Sequence, residues 1–377
     1  MIRILQFVNT LSRSNGVMSI IMNYYRHLDK SKIQFDFLYY KERDNNFVSE
    51  IEELGGKIYK LDFLYNLFEV KKEFENFFER EKGNYEIIHI HSLPFARLMK
   101  KAAKKNGIEH MILHIHATKY SEIWPLNMLY NLLCINIDRV SDDLCACSDL
   151  AAEYAYSKKV VKSGRVRIIN NAIECEDFRF NEEKRNRIRE EFNIPSDGVM
   201  LGAVGVLYKV KNHLFLIDVF KRYIEKHPNA YLAIAGVGSL FEEIEKKIND
   251  YSLQDNVHLL GFRNDVPDIL SAFDVFILPS ISEGYPVSVL EAQSSGLPCI
   301  LSDSVTKEVQ ITYCDFVSLK GDVAKWCYAI FDAVNKSKNQ SRDLAYKIVE
   351  DAGYSIEKEA YKLYAYYCNL SQKDKIC

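Results

Sequence analysis

Short apolar runs of strand length alternate with longer amphipathic stretches of helical spacing along the whole of this chain. Runs apolar on both faces, each followed by a helix, are what repeated strand-helix units with a buried parallel sheet produce, so the expected class is α/β, doubly wound. The rhythm falls into two series. The first places strands at 2–8, 35–40, 57–61, 87–91, 111–116 and 143–147, with helices such as 17–28 and 96–106 between them. The second places strands at 199–206, 231–235, 257–260, 275–278, 298–301 and 316–318, with helices 214–226, 240–251 and 287–295. Two series in 377 residues predict two domains, at 1–178 and 179–354. Residues 356–367 have amphipathic helical spacing, and the segment 355–377 is expected to pack back on the first domain. The charge-dense stretch 181–192 reads as a solvated helix near the junction.

Composition narrows the function. Lysine and arginine total 49 against 52 acids, a net charge of −3, so no overall field draws the chain to nucleic acid. The nine cysteines form no CxxC pair and lie scattered in apolar segments, which predicts reduced thiols, a cytoplasmic setting and no zinc site. The opening Met1-Ile-Arg-Ile-Leu-Gln-Phe-Val-Asn9 reads as a buried strand and not a signal peptide, and no stretch is apolar enough to span a bilayer. Membrane contact, if made, is peripheral. A cationic helix face with Arg97, Lys100, Lys101, Lys104 and Lys105 offers one place for it, against anionic lipid at the inner face of the cell membrane.

The sharpest chemical signal is Ser280-Ile-Ser-Glu283-Gly284-Tyr285-Pro286-Val287-Ser288-Val-Leu-Glu291. It reads as a strand end, a glycine turn and a proline opening a helix. Free amides at such a helix start suit a diphosphate, and two carboxylates more than two helical turns apart suit the hydroxyls of one elongated, sugar-rich ligand. Gly16 precedes a helix and Gly236-Val-Gly238 follows a strand, as in loops that approach phosphates or as in plain turns. His114-Ile-His116-Ala-Thr118 ends a strand with both imidazoles on one face. His89 and His91 end another strand and are expected to be structural.

These motifs, in their order and spacing, resemble those of the family 4 glycosyltransferases. Glu283 and Glu291 resemble the Glu-x7-Glu element of that family. Residues 15–37, Ile87-Ile-His-Ile-His91, Val166-Arg-Ile-Ile-Asn-Asn171 and Leu260-Gly-Phe-Arg-Asn-Asp-Val-Pro-Asp-Ile-Leu270 look like further segments of it, in the branch that builds bacterial capsules and exopolysaccharides. The resemblance implies the GT-B fold: two facing Rossmann-like domains, an interdomain cleft and a C-terminal helix crossing back. It implies a retaining transferase moving a sugar from a nucleoside diphosphate, with UDP the favoured nucleotide, to a saccharide or lipid-linked saccharide.

By resemblance, His116, Glu283 and Lys211 are the catalytic residues. Gly16, Gly205, Lys211, Gly236, Gly238, Phe262, Arg263, Glu283, Gly284, Tyr285, Pro286, Val287 and Glu291 would bind the donor, with Glu283 on the sugar and Glu291 on the ribose. One departure stands out: the family's arginine position is Val206, with Lys209 and Arg13 as the available substitutes. No two aspartates stand two apart, so neither metal nor other cofactor is expected at the diphosphate. A nucleotide-sugar epimerase on the same fold and a non-catalytic partner subunit are the alternatives.

Overall fold

The structure is a computed structural model describing residues 1–62, 66–116, 120–121 and 124–371; Thr118 and the last six residues of the segment 355–377 lie outside the described residues. The chain separates into two compact units, Met1–Ala172 with Ile356–Cys377, and Ile173–Ser355. Where the chain enters and leaves the second unit, Ile173 and Ser355 pair as a parallel bridge.

The first unit is built on a seven-stranded parallel sheet: β1 (Ile2–Phe7), β2 (Ile33–Tyr39), β3 (Ile58–Lys60), β4 (Ile87–Ile90), β5 (His110–Ile115), β6 (Leu144–Ala146) and β7 (Val166–Ile168), in the order β3-β2-β1-β4-β5-β6-β7. Six of these strands are the expected ones. The seventh, β7, has an exposed arginine at its centre and lies at the sheet edge, so it has no apolar run to announce it. β2 buries a charge, Asp36, whose carboxylate accepts hydrogen bonds from Arg3 Nε (2.7 Å), Tyr85 Oη (2.7 Å) and the Lys57 amide (2.7 Å). Those bonds replace the water the carboxylate loses on burial. The last helix, Ile356–Leu370, belongs to this unit and sends the fully buried Tyr367 into it, where Gln6 Nε2 donates to Tyr367 Oη at 3.4 Å.

The second unit holds β8 (Val199–Val204), β9 (Ala230–Ala235), β10 (Val257–Gly261), β11 (Val275–Leu278), β12 (Cys299–Ser302) and β13 (Cys314–Val317). The sheet is again parallel, in the order β10-β9-β8-β11-β12-β13. All six strands overlap those of the sequence reading, although the edge strand β13, Cys-Asp-Phe-Val, carries the weakest apolar run.

The helix expected to be solvated is exposed on one face only. Glu182–Glu191 packs against the segment 266–274, and its arginines do the packing. Arg185 donates to the carbonyls of Ser271, Ala272 and Phe273 and to Asp274 Oδ1 at 2.6 Å; the buried Arg189 reaches Asp274 and the carbonyls of Ala272, Pro195 and Gly198. Asp274 in turn accepts from the Met200 amide at 2.7 Å, tying this helix to the start of β8. A high charge density marks an exposed face only when the charges lack carbonyls and carboxylates to bind, and here they have them.

Gly202, inside β8, is a steric requirement: a Cβ there would lie 1.9 Å from the Phe273 ring. Gly202→Ala is expected to destabilise the second unit by about 1–3 kcal/mol. The check is urea unfolding followed by the fluorescence of buried Trp326, in a Trp124→Phe background that silences the first unit. An unchanged midpoint would refute the packing argument.

Candidate functional site

In the second sheet the chain winds outward from β8 through β9 to β10, then returns to place β11 on the other side of β8. Loops at the carboxyl ends of β8 and β11 therefore leave in opposite directions and open a crevice between them, the place where open α/β sheets bind ligands. After β8 the chain passes Gly205, a short 3-10 turn Lys209–Lys211 and Asn212 in the left-handed region before helix His213–Ile224. After β11 it runs through Ser280 and Glu283 to Pro286, which caps helix Val287–Ser294. The two loops are stitched together where the Ile281 amide donates to the Val210 carbonyl at 2.8 Å.

This stitch brings the predicted charges into contact. Lys211 Nζ lies 2.7 Å from Glu283 Oε1, with both side chains mostly covered, and Ser280 Oγ donates to the same carboxylate oxygen at 2.8 Å. Glu291, in the helix that follows, has its carboxyl pushed up to about 7 by burial, with the positive charge of Lys211 pulling it down against that effect. Lys211 thus acts electrostatically on both glutamates of the Glu-x7-Glu element. One cation therefore faces two acids beside the switch point of this sheet.

The remaining predicted donor residues of this unit line up along the same sheet edge, because β10, β9, β8 and β11 are consecutive neighbours. Gly236 follows β9, and a Cβ there would stand 1.9 Å from the Gly205 carbonyl oxygen; at Gly238 it would stand 2.5 Å from the Leu207 carbonyl oxygen. Two backbones touch at these glycines, so the loops are tight turns by steric necessity. Phe262 after β10 is 47% exposed, an uncovered aromatic beside the crevice loops. Arg263 is engaged with acids, donating to both carboxylate oxygens of Glu191 (2.6 and 3.2 Å) and of Asp265 (2.8 and 2.7 Å). Tyr285 is buried, with its hydroxyl on the Tyr354 hydroxyl and the Glu308 carbonyl, so its side chain anchors the loop. Gly284 and Pro286 are buried, and Val287 is the first helical residue. Val206 is half-buried with no charge to offer, Lys209 is exposed, and Arg13 is held by Glu50 (3.2 Å) in the first unit.

Gly16 and His116 lie in the first unit. Gly16 opens helix Gly16–His27 behind the Asn15 cap, whose Oδ1 accepts from the Met18 amide at 3.0 Å; nothing stands within 4 Å of a Cβ built on it. The loop after β1 meets the carboxyl end of β4 at this sheet's own switch point. His116, just past β5, lies tilted against His114 (ring centroids 3.9 Å), and its Nε2 bonds His91 Nδ1 at 2.8 Å. Burial holds His116 at about 3, so its ring is neutral near pH 7.

Three residues to which the sequence assigned no role belong to these loops and the helices that follow them. Ser280 orients Glu283. His213, two residues beyond Lys211, is buried with Nδ1 unpartnered and held down to about 4 by burial and by Lys211. Ser288 carries a buried, unpartnered hydroxyl in the first turn of the helix that bears Glu291. Position after a strand end was the available signal for each, but serine and histidine are too common there to single out.

The profile of the family 4 glycosyltransferases matches residues 14–177, and that of the group 1 glycosyl transferases matches residues 184–312. EpsF of Bacillus subtilis, which carries the name of a glycosyltransferase, is 29% identical over 99% of this chain and 98% of its own length. The UDP-Gal:alpha-D-GlcNAc-diphosphoundecaprenol alpha-1,3-galactosyltransferase of Escherichia coli is 30% identical over 59% of each chain. Among solved structures, Anabaena HepE in complex with UDP and glucose superposes with a TM-score of 0.77 at 12% identity, covering 98% of this chain and all of its own. The fold is GT-B, and the chain belongs to the family 4 glycosyltransferases, built as two parallel-sheet α/β units.

Proposed function

We propose that this glycosyltransferase moves a hexosyl or N-acetylhexosaminyl group from a UDP-sugar to a saccharide or lipid-linked saccharide in bacterial capsule or exopolysaccharide assembly, with retention at the anomeric carbon. The observation that carries the reading is the Lys211–Glu283 contact at the switch point of the second sheet, with Glu291 in the adjoining helix. UDP in HepE and the UDP-galactose named for the Escherichia coli relative support the nucleotide; that relative's lipid-diphosphate acceptor supports the acceptor class. Retention rests on the family resemblance.

In this mechanism Lys211 leaves Glu283 for the donor diphosphate, where amides at the start of helix Val287–Ser294 and the Ser288 hydroxyl join it. Charge that develops on the departing UDP then meets fixed donors that need no reorganisation. Glu283, freed of its lysine, accepts hydrogen bonds from sugar hydroxyls, and Glu291 accepts from the ribose. The acceptor hydroxyl attacks from the face the diphosphate leaves. Gly16 and His116 take their donor roles from the resemblance alone. No metal is assigned to the diphosphate.

A membrane-facing surface fits a lipid-linked acceptor. Helix Trp124–Leu133 buries none of its residues, and Trp124, Met128, Leu132 and nearby Ile135 are each more than half exposed. Arg97 Nη2 donates to the Ile135 carbonyl at 2.5 Å, which sets the cationic helix Ala96–Lys105 beside this apolar one. Apolar side chains next to lysines match the boundary of an anionic bilayer.

Three measurements test the proposal. Lys211→Ala and Glu283→Gln are expected to lower kcat by about 10²–10³-fold in a UDP-sugar transfer assay read by mass spectrometry. Turnover of the donor to an epimer without acceptor, or rates within a few-fold of wild type, would reject it. Because donor binding favours ionised Glu291, whose carboxyl titrates at about 7, donor affinity should fall by up to about tenfold per pH unit below 7 and level off above it. That slope should vanish in Glu291→Gln, measured by calorimetry. Co-sedimentation with phosphatidylglycerol vesicles should be lost in Trp124→Glu/Leu132→Glu and weakened by salt; equal recovery on neutral vesicles would overturn the membrane surface.

A further inference from the structure

The sequence pattern His-x-His occurs twice, at the carboxyl ends of β4 (His89, His91) and β5 (His114, His116). The two strands are parallel neighbours with Ile90 opposite Leu113, and alternation puts all four imidazoles on one face of the sheet. His89 stacks on His91 and on His114, at 4.4 and 5.2 Å between ring centroids. His89, His91 and His114 each present a ring nitrogen, and these nitrogens all lie within 4.8 Å of one another.

Hydrogen bonding alone does not complete this cluster. Gln6 Oε1, an acceptor only, bonds His91 Nε2 at 2.9 Å, so that nitrogen carries the proton and His91 Nδ1 is a lone pair. His116 must then donate to it from Nε2, 2.8 Å away, which strands its own Nδ1 as a buried lone pair without a partner. At the other end His89 Nδ1 meets Tyr367 Oη at 2.6 Å and His89 Nε2 meets His114 Nδ1 at 3.1 Å, leaving His114 Nε2 buried and unpartnered as well. The cavity these rings line, with Gln6, Tyr24, Tyr367 and apolar neighbours, has a volume of about 20 Å³ and no carboxylate in its wall. That space admits one water or one ion and no organic ligand.

We infer that this cavity is a transition-metal site in which His89, His91 and His114 hold a zinc-like divalent ion, with His116 beside it for the fourth position. Imidazole nitrogens without oxygen ligands select zinc, cobalt, nickel or copper over magnesium or calcium. A tetrahedral ion with bonds of about 2.0–2.1 Å spaces its ligand atoms about 3.4 Å apart, inside the 4.8 Å that bounds the ring nitrogens of His89, His91 and His114. Gln6 and Tyr367 grip the outer nitrogens of His91 and His89, the orienting role that second partners play around metal-bound histidines. Through Tyr367 the ion would fasten the last helix to the sheet. The site is independent of the donor diphosphate, and His116 is the residue it shares with the transferase reading.

The test uses the full chain with no polyhistidine tag, stripped of metal and titrated with Co²⁺ and then Zn²⁺. One equivalent of Co²⁺ should bind per chain with a ligand-field spectrum of tetrahedral type, be displaced by Zn²⁺, and raise the melting temperature. His89→Gln and His114→Gln should each weaken binding by at least tenfold, while exposed His27→Gln leaves it unchanged. No saturable binding to the wild type, meaning that the cavity holds water only, would overturn the inference. So would equal binding by the His114→Gln variant. The wild-type titration and melting shift decide the matter even if the variants fold poorly.

Discussion

Everything in the second unit depends on β8 and β11 being hydrogen-bonded neighbours although two strands and their helices separate them in sequence. Parallel strands need right-handed crossovers, and reversing the direction of winding beside β8 forces two loops apart at the carboxyl edge. Lys211 and Glu283 sit on those two loops, and the bond from Ile281 to Val210 fixes their separation. A charged pair this well covered costs desolvation that its own attraction offsets only in part. In the proposed transfer, a ligand carrying a diphosphate and hydroxyls would replace that contact for both partners.

The same unit shows how polar groups can build a scaffold. Asp274, at the foot of β11, gathers Arg185, Arg189 and the Met200 amide. Arg342 covers the same region, donating to the carbonyls of Leu270, Ser271, Phe273 and Ser295. Guanidinium groups suit this task because each reaches several carbonyls that end a helix without an intrahelical partner. The rigid amino end of the sheet opposes the crevice end, where backbone contacts at Gly236 and Gly238 keep the loops close.

Beside the charged Asp36 site, the first unit also assembles a neutral polar core. Neutral imidazoles, a glutamine amide and a tyrosine hydroxyl form one network running from β1 through β4 and β5 to the last helix. Each ring is kept neutral by burial, which leaves imidazole lone pairs available in the cluster. His116 belongs to this network, so a role at the donor sugar would be exercised from a ring whose orientation His91 already fixes.

Apolar periodicity by itself determined twelve of the thirteen strands, the class and the position of the helix that begins at Val287, because burial on both faces writes itself as uninterrupted apolar runs. Motif spacing named Glu283 and Glu291, and the family resemblance named Lys211. Tertiary structure alone decided that β7 pairs at an edge, since three half-exposed residues carry no pattern. It alone turned the arginines of helix Glu182–Glu191 inward, because their partners are carbonyls some eighty residues away. It alone made two separate His-x-His motifs into one cluster, for which strand adjacency, invisible in linear order, is the physical cause.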